Sequence, residues 1–114
     1  MTDEMGTLED AILAFTLGDT DKALKILYKL ASKDSQSVDV WRALAEVELS
    51  NERLEEAERA CRKAININPE DLTSMVSLAR ILVKKGDKEG AEDASSKARV
   101  LGWKEELAQQ KDDQ

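Results

Sequence analysis

Residues 41–69 read WRALAEVELSNERLEEAERACRKAININP, and this stretch decides the fold. Val38, Trp41, Leu44, Ala45 and Leu49 recur at helical spacing, and after the polar turn Asn51-Glu52-Arg53 so do Leu54, Ala57, Ala60, Cys61 and Ala64. Two amphipathic helices joined by a short turn must fold back on each other to bury these stripes. Ala45 is matched 34 residues away on either side by Ala11 and Ala79, and Ala57 by Ala23 and Ala91. Where two helices cross closely, a side chain longer than a methyl pushes the axes apart, so the spacing predicts the same crossing three times. The hairpins run over about 4–37, 38–71 and 72–105, with no insertion needed to keep phase.

Outward from the central hairpin the punctuation agrees. Upstream, Leu8, Ala11, Ile12 and Phe15 form one stripe, Gly18-Asp19 opens a turn, and Ala23, Ile26, Leu27 and Leu30 form the next. Asp19 and Asp21 at the start of that helix, and Lys29 and Lys33 at its end, complement its dipole. Ser37 is placed to cap the following helix, whose polar side holds Arg42, Glu46 and Glu48. Glu55, Glu58 and Arg62 form a water-facing charge row on its partner. In Asn68-Pro69-Glu70-Asp71 the chain's one proline is expected in the first turn of a helix, where its missing N–H does no harm. Downstream, Met75, Leu78, Ala79 and Leu82 are followed by Lys84-Lys85-Gly86-Asp87, a basic helix end, a glycine and a new cap. Ala91, Ala94 and Ala98 line the last long helix, which Gly102 is expected to end. Trp103, Leu107 and Ala108 then predict a short seventh helix covering the end of the stack, before a fraying tail from Gln109 to Gln114.

Composition bounds the function. With 114 residues the chain is one domain, 1–114, and with 4% aromatics its core is filled by small and aliphatic side chains. A net charge of −7 and the lack of a Lys/Arg run argue against nucleic acid. One cysteine and no histidine exclude an intrachain disulfide and the usual His/Cys metal sites, leaving no cofactor or metal expected and a reducing, cytoplasmic setting. Nothing approaches the roughly 18 apolar residues of a membrane span. Cys61 lies on an apolar stripe with no histidine to activate it, so a packed thiol rather than a nucleophile is expected. The acidic residues are spread along helix surfaces, without the glycine-bearing loop of oxygen ligands that calcium needs. The chain is therefore not expected to be an enzyme.

A 34-residue helix–turn–helix period carrying Trp, Leu, Ala and Pro in that order resembles the tetratricopeptide repeat family over residues 4–105. The resemblance implies an all-α, right-handed superhelical solenoid and a protein-interaction scaffold, with the first helix of each pair lining a concave groove. Carried onto this sequence, the partner-binding positions are Leu8, Ile12 and Phe15, then Arg42, Glu46 and Leu49, then Val76, Arg80 and Val83. Arg42 and Arg80 could take a carboxylate of the partner, or pair with Glu46 at the surface. The first repeat departs from the pattern, with Thr7 and Asp10 where the second has Trp41 and Leu44, so its apolar stripe is expected to be turned elsewhere. In the co-chaperone branch a clamp of Lys, Asn and Arg grips acidic chaperone tails. Here its places are taken by Leu8, Ile12, Ala43, Thr73 and Ser77, so that function does not carry over. The expected partner is a protein or peptide; the rival reading is self-association into a homo-dimer through the apolar first helix.

Overall fold

The computed structural model describes residues 6–112, so the acidic start Met1–Met5 and the last two residues of the tail lie outside the described residues. Six helices follow one another: α1 (Leu8–Thr16), α2 (Thr20–Lys33), α3 (Val38–Ser50), α4 (Leu54–Ile67), α5 (Leu72–Lys85) and α6 (Lys88–Asp112). They form three hairpins, each stacked on the next, and α3 also touches α1 and α5. Because the first helices meet in succession and the second helices do not, the stack curves with α1, α3 and α5 on its inner face. This is an all-α helical-repeat solenoid.

Local chemistry sets the helix limits. Thr7 and Asp10 exchange backbone and side-chain bonds in a capping box at α1, which gives both residues a local role in place of the packing that Trp41 and Leu44 provide. Asp19, Ser37 and Asp71 each accept a backbone N–H three residues ahead, and Gly90 N–H donates to Asp87 in the same way. Gly18, Glu52 and Gly86 stand 34 residues apart in the three hairpin turns, all left-handed, with φ of 88°, 62° and 82°. The middle hairpin thus places a glutamate where its neighbours use glycine.

The alanine columns pack as the spacing predicts: Ala11, Ala23, Ala45, Ala57 and Ala91 are buried, with Ala79 partly so. Leu27, Leu44 and Ile81 fill the core between them, each worth about 1.5–3 kcal/mol relative to exposure.

Several expectations are corrected. Gly102 does not end α6, and no separate seventh helix occurs among the described residues; α6 runs on through Trp103 and Leu107 to Asp112, so residues 109–112 are helical rather than frayed. A lone glycine weakens a helix by about 1 kcal/mol, and with no proline or new cap behind it that is too little to stop one. Trp103 and Leu107 consequently stay exposed and cover nothing. Pro69 lies in the turn rather than in a helix: Asn68 is the C-cap of α4, its side chain accepts from Glu70 N–H, and Asp71 is the true cap of α5. Glu48, expected on the polar side of α3, is fully buried.

Candidate functional site

On the inner face α1 and α3 leave an open, largely apolar pocket of about 350 Å³. Leu8, Ala11, Ile12 and Phe15 from α1, Leu27 from α2, and Ala43 and Val47 from α3 form its walls, with Asp39, Arg42 and Glu46 along the rim. The wall exists because α1 turns two faces inward at once. Ala11 and Ala14 are buried, while Ile12, the residue after Ala11, is left 51% exposed in the pocket wall. Leu8 and Phe15 rest partly on the core.

Of the nine positions expected to bind a partner, the structure therefore brings five together: Leu8, Ile12, Phe15, Arg42 and Glu46. Leu49 is 6% exposed and belongs to the core, because the third hairpin covers it, so it is not open to a ligand. Val76 and Arg80 are exposed on α5, and Arg80 is linked to the pocket rim through Glu46. Val83 faces a separate cleft between α5 and α6 with Ala91, Ser95 and Arg99, at the far end of the stack.

The rim is held by charges from within the chain. Arg42 reaches Asp71 at 3.2 Å and Asp39 at 3.4 Å, not Glu46. Glu46 accepts from the Ser77 hydroxyl at 2.7 Å and faces Arg80 at 3.5 Å, tying α3 to α5. Both arginines thus have carboxylate partners already, and a ligand carboxylate must compete with them.

Behind the groove lies a network that sequence reasoning missed. Buried Glu48 accepts from the Tyr28 hydroxyl on α2 and lies 2.9 Å from the guanidinium of Arg53 at the head of α4, so one carboxylate ties the first two hairpins together. Burial, reinforced by the neighbouring carboxylate, pushes the Tyr28 hydroxyl up to about 12. The signal was there to read: Trp41, Leu44, Ala45 and Glu48 fall at i, i+3, i+4 and i+7, which places the glutamate on the apolar stripe. Cys61 is the packed thiol expected; its Sγ–H donates to the Ser74 carbonyl at 3.0 Å, and burial raises its pKa to about 12. In the α4 charge row, Glu58 binds Arg62 and also Lys85 from α5, and the Lys85 hydrogen bond holds its carboxyl below the usual range. No group of metal-ligating side chains, and no helix long and apolar enough to cross a membrane, occurs among the described residues.

Stacked hairpins with an open inner groove define a helical-repeat protein. Residues 14–73, more than half of the chain, match the family model for the tetratricopeptide repeat, and the chain belongs to that family. Among solved structures it resembles MamA, with 19% identity and a TM-score of 0.85 over 91% of this chain and 63% of MamA. It also resembles the second tetratricopeptide domain of Spaghetti (RPAP3) bound to the HSP90 peptide SRMEEVD, with 17% identity and a TM-score of 0.78 over 82% of this chain and 86% of that one. A third likeness is to the Yersinia enterocolitica type III secretion translocator chaperone SycD, at 17% identity and a TM-score of 0.79 over 82% of this chain and 65% of SycD. The chain thus spans less than two thirds of MamA and SycD, and at these identities the likeness is one of fold. No curated protein matches the sequence.

Proposed function

We propose that the chain is a non-catalytic interaction scaffold that seats an apolar segment of a protein or peptide in the groove between α1 and α3. The pocket walled by Leu8, Ile12, Phe15, Ala43 and Val47 carries this reading, because a concave apolar surface with a few polar groups at its edge is what peptide anchors fill. Leu8, Ile12 and Ala43 occupy places where the co-chaperone clamp needs polar side chains, so the groove has the clamp's position and the opposite chemistry. The acidic peptide held by RPAP3 is therefore a poor guide to this ligand. Val76 and Arg80 extend the binding face along α5, whereas Leu49 and Val83 have no part in it. With Arg42 and Arg80 already paired, an acidic group on the ligand contributes register more than affinity, and a net charge of −7 disfavours a uniformly acidic partner. The free, buried thiol of Cys61 fits the reducing cytoplasm expected from the sequence.

The test is selection of short displayed peptides on the immobilised chain, followed by affinity measurement against Ile12→Asp and Leu13→Asp, two neighbouring exposed residues on different faces. Ile12 is preferred to Phe15 because Phe15 also packs on the core. The groove reading expects selected peptides rich in large apolar side chains, with at least about tenfold loss for Ile12→Asp and none for Leu13→Asp. Equal binding to wild type and Ile12→Asp contradicts it.

A further inference from the structure

The 34-residue period lets each hairpin serve as the control for the others. Leu13, Val47 and Ile81 occupy one column, and their exposures are 57%, 4% and 0%. Val47 and Ile81 are covered because a preceding hairpin lies against them; Val47 meets the pocket wall of Phe15 and Leu27 from the first. Leu13 has no hairpin before it among the described residues. Phe15, Leu49 and Val83 form a second column that runs the other way: Leu49 is buried and Phe15 packs partly on the core, each with a hairpin following it, while Val83 is 66% exposed. The extension of α6 does not fold back over Val83. It continues along its own axis, where Lys104 reaches Glu70 in the α4–α5 turn at 3.1 Å.

Each end of the stack thus presents an apolar residue at a place where the repeat rule buries its counterparts against a neighbouring hairpin. We infer that a second copy of this chain supplies that neighbour, the α1/α2 end of one protomer seating on the α5/α6 end of the next and continuing the stack head to tail. Shifted by two periods, the Phe15 and Leu27 that share a pocket wall with Val47 become Val83 and Ser95, so Leu13 of the incoming copy is placed beside Val83 and Ser95.

Charge supports the same pairing. The cleft at the α1/α2 end is edged by Asp10, Asp19 and Lys22, and the cleft at the α5/α6 end by Lys88, Arg99 and Glu92. One edge is net negative and the other net positive, so unlike ends attract, whereas two α1/α2 ends would set acids against acids. A two-fold dimer through the first helix is disfavoured on that ground. The contact is heterologous and has no reason to close, so it adds copies one at a time. Ser95, standing in the column of Leu27 and Cys61, makes the receiving end less apolar than an internal junction, and the association is correspondingly weak. The inference is independent of the α1/α3 groove, and Ile12→Asp should leave it unchanged.

The experiment is sedimentation of the full chain over a wide concentration range, with circular dichroism confirming that every variant is folded. Wild type should gain mass continuously with concentration and lose it as salt rises. Leu13→Glu and Val83→Glu, each disabling one end, should each be monomeric alone, while their equimolar mixture should form a one-to-one heterodimer and nothing larger. Ser95→Leu should bring the onset to a roughly tenfold lower concentration. A wild type that stays monomeric at every concentration, a mixture of the two variants that stays monomeric, or a dimer that survives either substitution overturns the inference.

Discussion

Leu49 and Val83 stand at the same place in successive hairpins and have the same apolar chemistry, yet the first is sealed in the core and the second faces solvent. What differs is whether another hairpin follows among the described residues, so burial here is a property of position in the stack as much as of the local stripe. The same holds for Leu13 against Val47. The middle of the chain is therefore where substitutions should test stability, and the two ends and the inner groove are where they should test contacts.

The sharpest way to break that contrast is to truncate both members of the column. Leu49→Ala should cost roughly 2–5 kcal/mol in denaturant unfolding, while Val83→Ala should stay within about 0.5 kcal/mol. Equal losses would mean that the last hairpin is covered by something the stack does not reveal. Ala57→Leu comes next: Ala57 is wholly buried in the middle hairpin, and overpacking there should cost roughly 1–3 kcal/mol. Its neighbour Glu58, which pairs with Arg62 and Lys85 near the surface, should lose only tenths of that when changed to Ala.

The junction between the first two hairpins can be followed through the chain's single tyrosine. Tyr28 ionises near pH 12 in the folded chain rather than at its usual 10.0, so the fold favours the protonated hydroxyl. Its contribution to stability is complete below the ordinary tyrosine value and is lost as pH rises from there through about 12. A spectroscopic titration should find that raised midpoint, and Glu48→Gln should move it part of the way back, with burial keeping the remainder. A midpoint at the ordinary value would remove the buried carboxylate from the account. An effect of the opposite sign is expected at Glu52, the one non-glycine in the left-handed turn column. Replacing it with Gly should stabilise by at most about 1 kcal/mol, since relief of the strained φ is offset by the greater freedom of glycine in the unfolded chain.

The architecture was legible because the features that define it are periodic. The alanines at 11, 45 and 79 and at 23, 57 and 91 report close crossings wherever they occur, and the caps at Asp19, Ser37 and Asp87 are local signals that stand on their own. The features that escaped depend on neighbours. Leu49 lies on a helix face shared by groove and core, and only the third hairpin decides between them. Glu48 stays buried because Tyr28 and Arg53 come to it from two other helices. The continuation of α6 turns on a small balance: Gly102 disfavours helix slightly, while an uninterrupted run of Lys, Glu, Leu, Ala and Gln behind it favours helix more. Half of the candidate groove could be read in advance because Leu8, Ile12 and Phe15 recur on one face of α1. The pairing of Arg42 with Asp71, 29 residues away, could not.

That groove is the functional heart of the account, and one measurement reaches it most directly. Methyl-resolved NMR of the folded chain, titrated with a peptide obtained by selection, should show shifts gathered at Leu8, Ala11, Ile12, Ala43 and Val47, with Leu13, Val83 and Leu107 unmoved. Shifts centred instead on the exposed Val100–Leu107 face of α6, or on Leu13, would contradict it.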